Sequence, residues 1–124
     1  APNDQGHAEW GCEGTLISGA DGTDIGTGAQ NTIDIVAGCT TAGIAAKLCY
    51  DLVLGGYSDW YLPSKDELAK LYLNKAAIGG FVNIYYWSSS ENNNYYACEQ
   101  FFEVGNQYYY VKNYALYVRA VRSF

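Results

Sequence analysis

Residues 59–72, DWYLPSKDELAKLY, change character at Pro63. Asp59-Trp60-Tyr61-Leu62 reads as a short strand running into the proline. Immediately after it, Ser64-Lys65-Asp66-Glu67 has capping-box spacing. In such a box the serine hydroxyl accepts from the Glu67 amide, and the glutamate carboxylate accepts from the Ser64 amide. Asp66 and Glu67 also lie against the positive end of the helix dipole, which makes them caps rather than catalytic partners. Leu68, Leu71 and Tyr72 then follow the i, i+3, i+4 spacing of one helical face, and the predicted helix ends near Asn74.

Toward the N-terminus, Ile44, Leu48, Asp51 and Leu52 trace the turns of a helix from about Thr41 to Leu54, ended by Gly55-Gly56. A shorter helix, capped by Asn31 and running through Val36, stops at Gly38. Residues 1–30 are rich in Gly, Asp and Thr, with EWGCEGTLI (9–17) the one segment able to pair as a strand. The run from Gly19 to Gly28 lacks the Gly-Lys-Ser/Thr of a phosphate loop and the glutamate of a calcium loop, so it reads as a surface loop. Toward the C-terminus, Tyr85–Ser90 reads as a strand. Phe101–Val104 and Tyr108–Val111 flank Gly105-Asn106-Gln107 as a hairpin, and Leu116–Arg122 alternates as a final strand. Helices first and antiparallel strands last make the class α+β, in a single domain spanning 1–124.

At 124 residues the chain is one domain long, and 49% hydrophobic content is that of a globular protein. Roughly two-thirds of the unfolded surface is buried at this length, so a core forms without a metal. No apolar run approaches the roughly 18 residues of a membrane-spanning helix. The opening APNDQG carries neither the charged nor the apolar segment of a signal peptide, and reads as a processed or trimmed start. A net charge of −6 argues against a nucleic-acid partner, whose phosphates need clustered Lys and Arg. Cys12, Cys39, Cys49 and Cys98 lack the close spacing of a zinc site, so no metal or cofactor is expected. Disulfides and free buried thiols remain alternative fates for them.

Tyrosine is the outlier in composition. Nine of the 13 tyrosines lie in residues 85–124, together with five of the nine asparagines. A core has little use for so many hydroxyls, each needing a partner when buried. A binding surface does: tyrosine offers large area with few rotors, and asparagine adapts its hydrogen bonds. The run Tyr108-Tyr109-Tyr110-Val111 sends rings to both faces of any strand, so at least one face shows them to solvent. Tyr85, Tyr86 and Tyr117 suit a core with hydroxyls at its edge. The expected core comprises Trp60, Trp87, Leu62, Leu68, Leu71, Val118 and Val121.

Three blocks, Asp59–Leu68, Tyr86-Trp87-Ser88-Ser89-Ser90-Glu91 and Tyr117-Val118-Arg119-Ala120-Val121-Arg122, together resemble one bacterial family. It is named after the C-terminal domain of the Legionella collagen-like protein, and its members look like C-type lectin folds. The resemblance covers essentially the whole chain and implies a C-type lectin-like architecture. Members begin with a Gly-Gly-Ile-Val-Phe-Tyr type strand that this chain lacks, so that strand is either trimmed or replaced. Lectin-like folds pair their first and last strands.

The tail from Glu91 to about Tyr117 also resembles the variable region of diversity-generating retroelement target proteins. There, misreading of template adenines turns Asn codons into Tyr, Ser, Asp, Ala, Val, Phe, Leu or Cys. Gly105-Asn106-Gln107, Lys112 and Tyr117-Val118-Arg119 would be the fixed frame. The resemblance implies a variable, ligand-binding set of Asn93, Tyr95, Tyr96, Cys98, Glu99, Phe101, Glu103, Val104, Tyr108, Tyr109, Tyr110, Val111, Asn113, Tyr114 and Ala115. Glu99 and Glu103 depart from the pattern, since adenine changes in one Asn codon do not reach Glu.

The function expected is therefore a non-enzymatic binding module, displayed on a bacterial cell or a phage virion, that engages a macromolecular target, protein or surface glycan. A conventional glycan-binding adhesin is the alternative, although the calcium-lectin loop motifs are absent and the charge is awkward for a sulfated glycan. An enzyme is disfavoured: no Ser/His/acid set is evident, His7 being the only histidine.

Overall fold

A computed structural model describes residues 1–123. Along the chain run β1 (His7–Glu9), α1 (Gly28–Gly38), α2 (Ala45–Tyr50), α3 (Lys65–Leu73), α4 (Lys75–Ile78), β2 (Tyr85–Glu91), β3 (Tyr96–Phe101), β4 (Gln107–Val111) and β5 (Ala115–Tyr117). The five strands form one sheet in the order β1-β5-β2-β3-β4. Only β2 and β5 are parallel, through the pair Tyr86–Tyr117. The class is α+β.

The capping box forms as its spacing requires. Ser64 Oγ accepts from the Glu67 amide at 3.3 Å, and Glu67 Oε1 accepts from the Ser64 amide at 2.8 Å. Glu67 does more than cap: it also accepts from the amides of Gly26 and Gly28, at 3.0 and 3.1 Å. One carboxylate thereby joins the start of α3 to the start of α1.

The other helices differ from expectation. α1 begins at Gly28, not at a cap on Asn31. Asn31 is buried inside α1, donating to Gly22 O (2.7 Å) and accepting from the Gly22 amide (3.2 Å). Gly28 permits this start because a Cβ there would sit 2.9 Å from Leu62 O and from the Ser64 nitrogen. The expected helix 41–54 contracts to the six residues of α2. Gly43 has a left-handed φ of +76° that a helix cannot continue through. At its far end, the chain past Asp51 turns into a Leu54–Tyr57 bridge instead.

Two expected strands shrink to single bridges or short pieces. Asp59–Leu62 contributes only the bridge between Tyr61 and Val121. The last strand covers Ala115–Tyr117 rather than Leu116–Arg122, after which Val118 exchanges backbone bonds with Gln5 and Gly6. The hairpin uses Tyr96–Phe101 as its first arm, so Phe102, Glu103 and Val104 lie in the turn and not in a strand. Burial explains the shift. Phe102 is drawn fully inward, against Tyr86 and Leu68.

A strand at the N-terminal end closes the sheet. His7, Ala8 and Glu9 pair antiparallel with Tyr117, Leu116 and Ala115, so first and last strands do meet. Only Glu9 of the expected EWGCEGTLI segment belongs to that strand.

The main core lies between the sheet and α1–α2, around Trp10, Ile17, Ile35, Ile44, Leu62, Trp87 and Val118. A smaller one gathers Leu68, Tyr86 and Phe102. Of the expected core, Trp87, Leu62, Leu68 and Val118 are buried, whereas Trp60, Leu71 and Val121 are only half-buried. Trp10 is the buried tryptophan that the pattern missed. Its indole donates to Ser88 O at 2.9 Å, while that of Trp87 donates to Ala8 O at 3.0 Å. Cys12 and Cys39 form a disulfide, and Cys49 and Cys98 are free and buried. Among the described residues no group of His, Cys, Asp and Glu could hold a metal, and no helix is long and apolar enough to cross a membrane.

Candidate binding face

The far end of the sheet, β2-β3-β4, carries the tyrosine-rich tail. β4 is an edge strand whose partners are fixed by register: Tyr108 opposite Glu99, Tyr109 opposite Cys98, Tyr110 opposite Ala97. On the other side of β3, Trp87 stands opposite Glu99 and Tyr85 opposite Phe101. Strand alternation then separates the side chains into two sets. Tyr85, Trp87, Ala97, Glu99, Phe101, Tyr108 and Tyr110 share one face. Tyr86, Cys98, Gln100, Gln107 and Tyr109 share the other, on which Lys65 of α3 places its Nζ 5.7 Å from the Tyr109 ring centre.

The first face is an aromatic surface. Tyr85 stacks on Phe101 at 4.6 Å between centroids, and Tyr114 meets Tyr110 edge-on at 4.9 Å. Tyr108, Tyr110 and Tyr114 remain 49%, 38% and 53% exposed. Contiguous exposed rings on a rigid sheet are what interaction surfaces present.

Each member of the expected variable set has a definite place. Tyr95, Tyr96, Glu103, Val104, Tyr108, Tyr109, Tyr110, Asn113, Tyr114 and Ala115 are exposed. Asn93, Phe101 and Val111 are half-buried, and Asn93 Oδ1 accepts from the amides of Tyr95 and Tyr96 to shape the turn before β3. Cys98 and Glu99 are corrections: both are buried in mid-strand and neither offers a free contact surface. Burial pushes the Cys98 thiol up to about 11, which keeps it protonated and unreactive at neutral pH.

Frame positions have structural work. Gly105 takes φ +87°, and a Cβ there would come within 2.7 Å of Tyr72 Cζ. Asn106 O accepts from the Phe101 amide at 2.8 Å, and Gln107 Nε2 donates to Lys65 O and Gln100 Oε1. Lys112 is fully buried; its ammonium pairs with Glu91 at 2.6 Å, donates to Thr15 O at 3.0 Å and lies 4.6 Å from the Trp10 ring centre. Arg119 is likewise buried and paired with Asp4.

Glu99 is the anomaly. It is completely buried in the middle of the aromatic face, and neither carboxylate oxygen has a hydrogen-bond partner. Burial raises its pKa from 4.5 to about 8. The carboxyl is therefore mostly protonated at neutral pH.

This architecture, a mixed sheet whose first and last strands pair beneath two N-terminal helices and which ends in an aromatic hairpin, is a C-type lectin-like domain. Residues 7–122 match the family model of the Lcl C-terminal domain, and the chain belongs to that family. Membership places it among lectin-like, adhesin-type domains. A comparison with curated proteins finds no match to this sequence.

Proposed function

We propose that this domain is a non-enzymatic binding module, that the exposed rings of β4 and its flanking turns form its contact surface, and that this surface is diversified by a retroelement to meet varied macromolecular targets. The observation that carries the reading is a division of labour within the tail. The positions assigned to variation are mostly exposed, while those assigned to the frame are buried or hydrogen-bonded. Family membership also favours an adhesin-type role, in which the same face takes a glycan. The Cys12–Cys39 disulfide suits display outside the reducing cytoplasm, on a bacterial or phage surface.

A library randomised at Tyr95, Tyr96, Val104, Tyr108, Tyr109, Tyr110 and Tyr114, sorted for folding by protease resistance, tests the scaffold. Most members should survive, because exposed substitutions usually change stability by no more than about 0.5 kcal/mol. Loss of fold at most single positions would make the tail an ordinary core. A near-repeat of the tail and a reverse-transcriptase gene beside the coding sequence test the diversification itself.

A further inference from the structure

Glu99 has no structural occupation. The other buried carboxylate of the sheet, Glu91, is satisfied by Lys112 and by the Ile17 amide at 2.8 Å, whereas no hydrogen bond of normal geometry reaches Glu99, and the backbone of Tyr108 opposite it offsets its burial only in part. An unpaired carboxyl buried in an interior costs free energy, and a hydrophobic side chain in its place would not incur that cost. Aromatic residues flank it in the strand register. Trp87 and Tyr108 stand opposite it on the two neighbouring strands, with Phe101 two residues along. Aromatic faces attract ammonium and guanidinium groups, most strongly where water is excluded.

We infer that Glu99 is the receptor for a cationic side chain, a lysine or arginine of a protein target that inserts among the rings of the aromatic face. The inference rests on the binding-face reading above and gives that face its partner chemistry. The basic residues nearest in the fold do not fill the role. Lys112 is committed to Glu91, and Lys65 stands on the opposite face over Tyr109. The entry side is the edge strand: Trp87 is held by bonds to Ala8 O and Tyr114 O, whereas Tyr108 is half-exposed and bonded only through its hydroxyl to Asn106. Entry by this route requires the Tyr108 ring to move aside, since the carboxyl is fully buried. The net charge of −6 favours such a target over an anionic one.

The arriving cation supplies the countercharge that burial withholds, so the carboxyl ionises on binding and its proton leaves to solvent. The other ionisable side chains on this face are the phenols of Tyr85, Tyr108, Tyr110 and Tyr114; Lys65 and Asp66 of α3 stand behind the sheet.

The test is a titration of the folded chain with Nα-acetyl-lysine methylamide, followed by backbone amide shifts of β3 and β4. Nα-acetyl-norleucine methylamide, the same chain without the amine, and chitotriose, a neutral glycan, serve as comparators. The lysine probe should bind about tenfold or more tightly than norleucine, with affinity rising up to about tenfold per pH unit from pH 6 to 8. Glu99→Gln should remove the preference and its pH dependence without altering norleucine binding. Equal affinity for lysine and norleucine, no binding of lysine, or shifts from chitotriose alone would each overturn the cation site while leaving the aromatic face standing. Failure of the face itself would appear separately, as loss of fold in the tyrosine library. Should Glu99→Gln not fold, the lysine-to-norleucine ratio and its pH dependence in the parent decide the matter.

Discussion

Replacing Glu99 by Gln should stabilise the domain at neutral pH, and by an amount that grows with pH. In the unfolded chain the carboxyl ionises around its ordinary value of 4.5; in the folded chain burial delays ionisation to about 8. The folded state therefore binds the extra proton between those values, and stability falls as pH rises through that window. Each unit of displacement corresponds to about 1.4 kcal/mol, so by pH 7 the loss reaches about 3 kcal/mol, and by pH 8 about 4–5 kcal/mol. Above pH 8 both states are ionised and the loss stops growing. Glutamine has a similar shape and no titration. Urea unfolding of both proteins at pH 5, 6, 7, 8 and 9 isolates this group, because contributions shared by the two chains cancel in the difference. The stability difference should climb by about 1.4 kcal/mol per pH unit in favour of glutamine from pH 5 to 8, then level off. A difference that stays constant across the range would refute the claim that this carboxyl is buried without a partner.

Other perturbations separate core from frame and face. Trp10→Ala should cost roughly 3–5 kcal/mol in urea unfolding, as should Trp87→Ala, whereas the half-buried Trp60→Ala should cost distinctly less. Ser64→Ala removes the cap and should cost about 1 kcal/mol in the same assay. Lys112→Met leaves Glu91 buried and uncompensated and should cost about 3–5 kcal/mol, with much of the loss recovered by Glu91→Gln in the double variant.

The parts of the fold written in local chemistry were legible. Ser64 and Glu67 are three residues apart and cap one helix, so their spacing suffices to read them. Tyr108–Val111 advertises a strand with rings on both faces because alternation is local too. What sequence could not reveal depended on distant partners. Asn31 has the appearance of a cap, but the Gly22 backbone binds its side chain inside α1. Trp10 sits in a glycine-rich stretch with no periodic signal, and is buried because Ser88 O and Lys112 meet it from across the fold. In the candidate site, the exposed rings were readable from composition, but the burial of Cys98 and Glu99 was not. Both lie inside a strand whose boundaries moved when Phe102 turned inward. The pairing of His7–Glu9 with the last strand carries little sequence signal, since three residues with one buried side chain have no period.

Lys112 interrupts the tail between β4 and β5, and its burial against Glu91 and Trp10 has a consequence for any population of chains that differ only around it. With the far end of the hairpin bolted to the interior by Lys112 and the near end held by the β2–β3 ladder, new side chains at the exposed positions would leave the main chain in place. Antibody loops explore new shapes as well as new residues. Under the proposed diversification the shape would be held constant, and the accessible repertoire would be one of surface texture: bulk, polarity and ring placement on a single relief. Frequent innovation would then be tolerated because each new variant would inherit the same backbone.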